Sequence, residues 1–132
     1  MADRETGFHC VVVTPERVVL DTEAEFAALP AWDGEIGILR SRAPLMVKLG
    51  IGVLRVKTAE GERKMAIDGG FAEMVDNKLS VLTEHAHFAE DLEREAVERA
   101  LKDARSLAAH DLAGVATRDQ AIARAKAQLK LL

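Results

Sequence analysis

Short runs of β-branched or alternating apolar residues occupy the chain from Phe8 to about residue 88, and turn-forming residues separate them. This spacing is typical of antiparallel strands in a sandwich or barrel. Asp76 and Asn77 tolerate left-handed backbone, which predicts a tight turn between the last two runs. Because no long helical period interrupts the runs, we expect two packed sheets. The pattern predicts nine strands: Phe8–Val13, Arg17–Thr22, Glu25–Leu29, Glu35–Leu39, Leu45–Leu49, Val53–Thr58, Arg63–Ile67, Phe71–Val75 and Lys78–Leu82.

The composition then changes to Ala, Glu, Arg and Leu, and apolar residues recur at helical spacing. They stand four apart from Leu92 to Ala104, which predicts a first helix of roughly five turns. The sequence Thr117–Gln120 has the form of a capping box, so we expect a second helix to begin there. The connection His110–Ala116 is short enough to fold the two helices into an antiparallel hairpin.

The two helices offer each other narrow inner faces rich in alanine, with Ile122, Ala125 and Leu129 on the inner face of the second helix. Alanine lets helix axes approach closely, but it buries little apolar area, and that area is worth about 25 cal/mol for each Å². We therefore expect a β-sandwich domain over residues 1–88 and a more mobile helical hairpin domain over residues 89–132.

The balance of charge and hydrophobicity excludes several classes of protein. Hydrophobic residues make up 48% of the chain, which supports a packed core. The net charge of -4 argues against a surface built to hold nucleic acid. Met1–Glu5 lacks the basic and apolar regions of a signal peptide. Since no run approaches the roughly 18 apolar residues of a membrane-spanning helix, we expect a soluble cytosolic protein.

Residues that could carry catalysis or bind a metal are sparse. Cys10 stands alone between His9 and Val11, so we predict a small buried hydrophobe on a strand rather than a nucleophile. His85 and His87 could face one side of a strand, but no further Cys or His lies at ligand spacing. The glycines do not form a phosphate-binding loop. We therefore predict no catalytic residue, no metal site and no cofactor.

Two segments have the composition of protein interfaces. Trp32 lies in a predicted loop with Asp33 and Glu35, where it either packs back over the sheet or anchors a partner. The second helix can pair with the mildly acidic first helix, bind an acidic partner surface, or be solvated. Its basic side chains are Arg118, Arg124, Lys126 and Lys130.

Three motifs follow one another in the β part of the chain: Ala31-Trp32-Asp33-Gly34-Glu35-Ile36-Gly37-Ile38-Leu39, Ala43-Pro44-Leu45 and Ile67-Asp68-Gly69-Gly70-Phe71. In this order and spacing, and with the Ala-rich helical pair behind it, the chain resembles the epsilon subunit of F-type ATP synthases over nearly its whole length. The resemblance implies an antiparallel β-sandwich of about ten strands followed by an α-helical hairpin. It also implies a non-catalytic subunit of the rotor, peripheral to the cytoplasmic face of the bacterial plasma membrane.

The resemblance implies partners as well. The sandwich would join the gamma subunit to the c-ring, and the hairpin would reach the alpha and beta subunits when it extends, restraining ATP hydrolysis. It places the loop of Trp32, Asp33 and Glu35 toward the c-ring and gamma. The residues Arg40, Ser41 and Arg42 fall at the same edge, and the basic residues of the second helix are the candidate contacts of the hairpin.

Two positions depart from the family pattern. Ser41 and Arg42 stand where relatives commonly have Gly-His, so a permanent cation replaces a titratable group. Ala96 stands where nucleotide-binding relatives have an Arg. Arg94 and Arg99 are the available replacements for that Arg, but on a helix they point about 160° and 60° away from the direction of position 96. We therefore expect no ATP sensing.

Two other functions stay open from the sequence. The chain could be an independent binding module that recognises an unrelated protein, or a small enzyme whose acid–base or metal site is not evident in its motifs. Copurification distinguishes these from a rotor subunit, since only the rotor subunit brings alpha, beta and gamma subunits with it.

Overall fold

The computed structural model describes residues 7–132, in which strands come first and helices second. Residues 1–6, which include the whole of the stretch Met1–Glu5 considered above, lie outside the described residues. A 3-10 turn over Ala89–Asp91 leads from the last strand to α1 (Arg94–Arg105) and α2 (Leu112–Leu129). The strands are β1 (Phe8–Val13), β2 (Val18–Ala24), β3 (Phe26–Ala31), β4 (Gly34–Ile38), β5 (Leu45–Thr58), β6 (Gly61–Val75), β7 (Lys78–Leu82) and β8 (Ala86–Phe88).

The strands are hydrogen-bonded in the order β2-β1-β7-β6-β5-β3-β4, with β8 beside β6. Within residues 7–132 the pairings are antiparallel except that of β1 with β7, where His9 lies opposite Lys78 in parallel register. The first part of β5 pairs with the last part of β6, next to β7. The second part of β5 pairs with the first part of β6, next to β3 and β8. The two long strands thus belong to both layers.

Alternate side chains from both layers meet in one aliphatic core. Its fully buried members include Phe8 and Val12 of β1, Leu29 of β3, Leu54 of β5 and Val81 of β7. Because one contiguous core joins strands from both halves of the sheet, the expected antiparallel sandwich is confirmed.

The strand count differs from the expectation: eight strands are present in residues 7–132. Two pairs of predicted strands are each one continuous strand, β5 and β6, and β8 was not predicted. The glycines that separate the predicted pairs mark bends within long strands rather than turns between short ones. At Gly70, φ is +111° and a Cβ would overlap the carbonyl oxygen of Leu82. Only glycine allows β6 to bend so close to the end of β7.

Both predicted helices exist, but their bounds differ from the expectation. The helix α1 has 12 residues and ends at Arg105, so it is shorter than the five turns expected. The helix α2 begins at Leu112, five residues before Thr117, because the Asp111 carboxylate accepts a hydrogen bond from the Gly114 N–H at 2.7 Å. Thr117 lies inside α2, where its hydroxyl donates to the Ala113 carbonyl oxygen at 3.0 Å. The predicted helix start at Thr117 was wrong.

The helix α2 lies between α1 and the sandwich. It packs against α1 and also contacts β5 and β6. Ala125 and Ala127 are its buried residues, and Val97 and Ala104 are those of α1. Ala125, which was predicted on the inner face, is buried, and α2 also contacts the sheet, which the sequence did not indicate.

Candidate interaction surface

A continuous set of exposed apolar side chains crosses the outer face of the sheet on the side away from the core. We call Trp32, Met46, Phe71 and Leu82 the apolar band; their exposed fractions are 68%, 66%, 54% and 55%. Neighbouring members line shared hollows: Trp32 with Met46, then Met46 with Phe71 and Leu82. Large exposed apolar patches with a polar border are typical of protein interfaces.

Strand register assembles the band. Phe71 of β6 lies directly opposite Leu82 of β7, and its other neighbour across the ladder is Lys48 of β5. Met46 lies opposite Glu73, one outward position further along. Since side chains alternate along a strand, all of these point away from the core.

Polar side chains stand among and beside the band. Lys48, Glu73 and Ser80 share its outward face. On the neighbouring strands, His9 lies between two carboxylates, with its Nε2 3.0 Å from Asp21 and its Nδ1 2.9 Å from Glu23. The surface therefore combines an apolar centre with a charged border, which is the arrangement of a specific docking site.

The loop predicted to carry a partner contact lies at one end of this band. Trp32 and Asp33 form the turn between β3 and β4, and the Trp32 N–H donates to the Lys48 carbonyl oxygen at 3.0 Å. This bond fixes the backbone of Trp32, and its side chain extends into solvent rather than packing back over the sheet. Glu35 is also exposed, and it pairs with Arg55 at 3.2 Å.

The other predicted loop segment joins β4 to β5. Arg40, Ser41 and Arg42 are all exposed there. Ser41 has a φ of +58°, and its N–H donates to the Asn77 side-chain oxygen at 2.7 Å. The segment is thereby held against the turn between β6 and β7, so its two arginines project from a fixed backbone.

The predicted basic residues of α2 do not share one environment. The Arg124 Nε lies 2.6 Å from the Asp68 carboxylate of β6, so this side chain contacts the sandwich. Arg118 lies 3.6 Å from its neighbour Asp119. Lys126 and Lys130 are exposed.

The groups considered for catalysis are placed as follows. Cys10 is buried, and burial raises the pKa of its thiol from 9.0 to about 12, so it is no nucleophile at neutral pH. The prediction of a structural cysteine is confirmed. The rings of His85 and His87 stack with centroids 6.4 Å apart. Within residues 7–132 no three His, Cys, Asp or Glu side chains are grouped to hold a metal ion, and no helix is long and apolar enough to cross a membrane.

Met46, Phe71 and Leu82 were not predicted to be exposed. Their strands carry apolar residues at both alternating positions, as in Leu45-Met46-Val47. A strand with one face on the core and one in water would alternate apolar with polar residues. Apolar residues on both faces of these strands were therefore the feature of the sequence that could have predicted an exposed apolar surface.

Comparison with known proteins identifies the family. Residues 7–89 match the family described as ATP synthase, Delta/Epsilon chain, beta-sandwich domain. The chain belongs to this family. A protein of Rhodopirellula baltica named ATP synthase epsilon chain is 42% identical over 124 residues, covering 94% of this chain and 97% of the relative. The one from Carboxydothermus hydrogenoformans is 47% identical over 95 residues, covering 71% of this chain and 70% of the relative.

Solved structures agree on the fold. A chain in the Euglena gracilis mitochondrial ATP synthase, solved with OSCP, F1 and c-ring, superposes with a TM-score of 0.83 at 21% identity, over 98% of this chain and 82% of that one. A chain of the Tetrahymena thermophila central stalk and c-ring gives 0.66 at 15% identity, over 92% of this chain and 93% of that one. The predicted family is confirmed, and the chain is an epsilon-type, non-catalytic subunit of ATP synthase.

Proposed function

We propose that this epsilon-type chain is a central-stalk part of the rotor, and that its apolar band docks onto the gamma subunit. The observation that carries the proposal is the band itself: four large apolar side chains, all more than half exposed, on one outer face of the sheet. Exposing such a patch to water is unfavourable. Binding of a partner protein would cover the patch and remove that cost.

The composition of the band supports a docking role with useful affinity. Fully burying one large apolar side chain is worth about 1.5–3 kcal/mol, so covering the exposed part of these four contributes about 4–7 kcal/mol before the cost of association. Trp is also enriched among the residues that dominate interface energetics. Trp32 and Phe71 are the expected anchors of the contact.

The loops at the edge of this surface are the proposed contacts to the c-ring and to the border of gamma. Asp33 and Glu35 present carboxylates beside Trp32, and Arg40 and Arg42 present cations on a backbone fixed through Ser41. Mixed charge of this kind suits polar partner loops and sets orientation more than affinity. In this arrangement the chain is peripheral to the membrane, on its cytoplasmic face.

The hairpin is the proposed regulatory part. In this structure it is folded, with α2 against β5 and β6. Arg118, Lys126 and Lys130 remain at or near its surface as candidate contacts with the alpha and beta subunits. We propose that the extended hairpin restrains ATP hydrolysis, with Arg124 joining that set only after it leaves Asp68.

Two experiments test the proposal. The first purifies the complex through a tag on this chain and identifies the subunits that copurify. The second measures binding of the purified chain to its isolated cognate gamma subunit. We expect alpha, beta, gamma and c subunits to copurify. Met46→Glu should weaken gamma binding by about 30-fold or more, because it places a charge in the middle of the band, between the expected anchors Trp32 and Phe71. Leu112→Glu is the matched control, because Leu112 is 88% exposed but lies in the hairpin.

Equal losses for the two variants, or none for Met46→Glu, would show that the band is not the docking site. Recovery of a different, stoichiometric partner without alpha, beta or gamma would instead support an independent binding module.

A further inference from the structure

Among the residues that the structure describes, one ion pair connects the hairpin to the sandwich. The Arg124 Nε donates to the Asp68 carboxylate at 2.6 Å, across 56 residues of chain. The other ion pairs found in residues 7–132 lie within the strands or within α2. The two partners differ in exposure: the Asp68 side chain is 8% exposed and that of Arg124 is 41% exposed.

The hairpin itself buries Asp68. Asp68 lies on β6 opposite Ile51, on the outward face that also carries Ala66. Ala66 is buried although it takes no part in the sandwich core, and α2 is the helix that contacts β5 and β6. A carboxylate on this face would be hydrated if α2 were elsewhere. With the hairpin folded, the Asp68 side chain is 8% exposed.

The difference in exposure makes the pair asymmetric. A buried carboxylate without a counter-charge is strongly unfavourable, whereas a half-exposed guanidinium can be hydrated where it stands. Loss of Arg124 would therefore penalise the folded hairpin heavily. Loss of the Asp68 charge would penalise it little.

Apolar contact between α2 and the rest of the molecule is modest. The buried side chains of α2 are Ala125 and Ala127, which are small. Ile122 and Leu129 are only half-buried. The ion pair between Asp68 and Arg124 is therefore a large part of what holds α2 on the sandwich, compared with its apolar contacts.

We propose that Asp68 and Arg124 form a charge lock, in which the buried carboxylate makes folding of the hairpin onto the sandwich conditional on Arg124. Release hydrates Asp68, so the released state carries no penalty from it. A partner carboxylate that takes Arg124 then shifts the balance between folded and released states, because it binds one state only. The lock is a property of this chain by itself and does not depend on which partner the apolar band binds.

The test is a distance measurement on the full chain by double electron–electron resonance. Spin labels are placed at Ala108→Cys in the hairpin connection and Glu60→Cys in the turn after β5, both exposed positions. Cys10 need not be removed, because it is buried. Three variants carry the test: Arg124→Gln, Asp68→Asn, and the two together.

We expect Arg124→Gln to raise the ratio of released to folded hairpin by about tenfold or more, as expected when one partner of a buried pair is removed. Asp68→Asn and the double variant should keep the wild-type distance distribution, since neither leaves a buried unpaired charge. Arg118→Gln is the control, because it removes an ion pair within α2 whose carboxylate, Asp119, is 63% exposed. Arg124→Lys should remain mostly folded, which separates loss of charge from a failure of α2 to form.

Two results would overturn the proposal. One is an unchanged distance distribution in Arg124→Gln. The other is a double variant released as fully as Arg124→Gln, since Arg124 would then contribute packing rather than charge. Circular dichroism of each variant establishes that its helix and strand content are intact.

Discussion

Phe71 and Leu82 lie directly opposite each other on β6 and β7, with both side chains turned away from the core. Their chain neighbours Ala72 and Val81 are opposite each other as well and are buried. The same two strands therefore supply a core pair and a surface pair in adjacent register positions. The core pair stabilises the fold, and the surface pair is free to serve a partner.

This arrangement predicts that binding and stability can be separated at Phe71 and Leu82. Replacing both by Ala should cost about 1 kcal/mol of unfolding free energy, the scale of one exposed cross-strand pair. Gamma binding should fall by at least about 30-fold. Urea unfolding and a titration with gamma measure the two quantities. A loss of stability large enough to explain the lost binding would contradict the separation.

Gly70 is predicted to be the least replaceable glycine of β6. A methyl group there would overlap the Leu82 carbonyl oxygen, and φ is +111°. We expect Gly70→Ala to destabilise the chain by more than about 3 kcal/mol, combining backbone strain with displacement of β7. Gly61→Ala is the matched control, because φ is +128° but nothing lies near the added methyl. It should cost only about 1 kcal/mol, and similar unfolding midpoints for the two would refute the steric explanation.

Cys10 predicts a loss of stability at alkaline pH. Its folded-state pKa is raised to about 12 from 9.0, so the unfolded chain loses this proton first as pH rises. The stability contribution is complete below pH 9 and falls between pH 9 and 12. At pH 10 the loss should be about 1 kcal/mol. Cys10→Ala should lose less stability than the natural chain between pH 8 and pH 10, and an equal loss would contradict the assignment.

Independent folding of the sandwich follows from the membership of its core. Every residue of the core cluster lies between Phe8 and Phe88. A chain ending at Leu92 keeps the bond from the Phe88 N–H to the Asp91 carboxylate at 3.2 Å. We expect it to melt cooperatively with β-type circular dichroism. Loss of either property would show that the hairpin is required for the sandwich to fold.

Removing α2 tests the proposed restraint on ATP hydrolysis. Because α2 begins at Leu112, the deletion should start there rather than at Thr117. Hydrolysis by the assembled complex at low salt should rise by about fivefold or more, the lower end of typical coupling free energies, with synthesis largely unchanged. Removal of residues 131–132 alone is the control, because it leaves the basic side chains of α2 in place. Equal hydrolysis in deleted and full-length complexes would show that the helix is no brake.

Local chemistry was sufficient to predict part of this fold. Asp76 and Asn77 were predicted to form a tight left-handed turn, and their φ angles are +50° and +59°. The helix start was not predictable in the same way, because Thr117 and Asp111 both fit cap rules. Gly114 lies within the predicted connection His110–Ala116, yet its N–H is the group that Asp111 caps.

The candidate surface was predicted only where one residue was informative by itself. Trp32 is unusual in any loop, so it stood out. Met46 and Phe71 have ordinary strand composition, and only the pairing register shows that they face outward. The contact of Asp68 with Arg124 spans 56 residues and depends on how α2 packs, which no local pattern encodes.

The parallel pairing of β1 with β7 affects how the chain can be synthesised and folded. β1 is the first described strand to leave the ribosome, but it lies between β2 and β7 in the finished sheet. Its register with Lys78–Leu82 cannot form until β7 has emerged. The edge of β1 that pairs with β7 therefore stays unpaired while most of the sandwich is translated. Closure of the sheet is a late step of folding, and this unpaired edge is the part most in need of protection from other nascent chains.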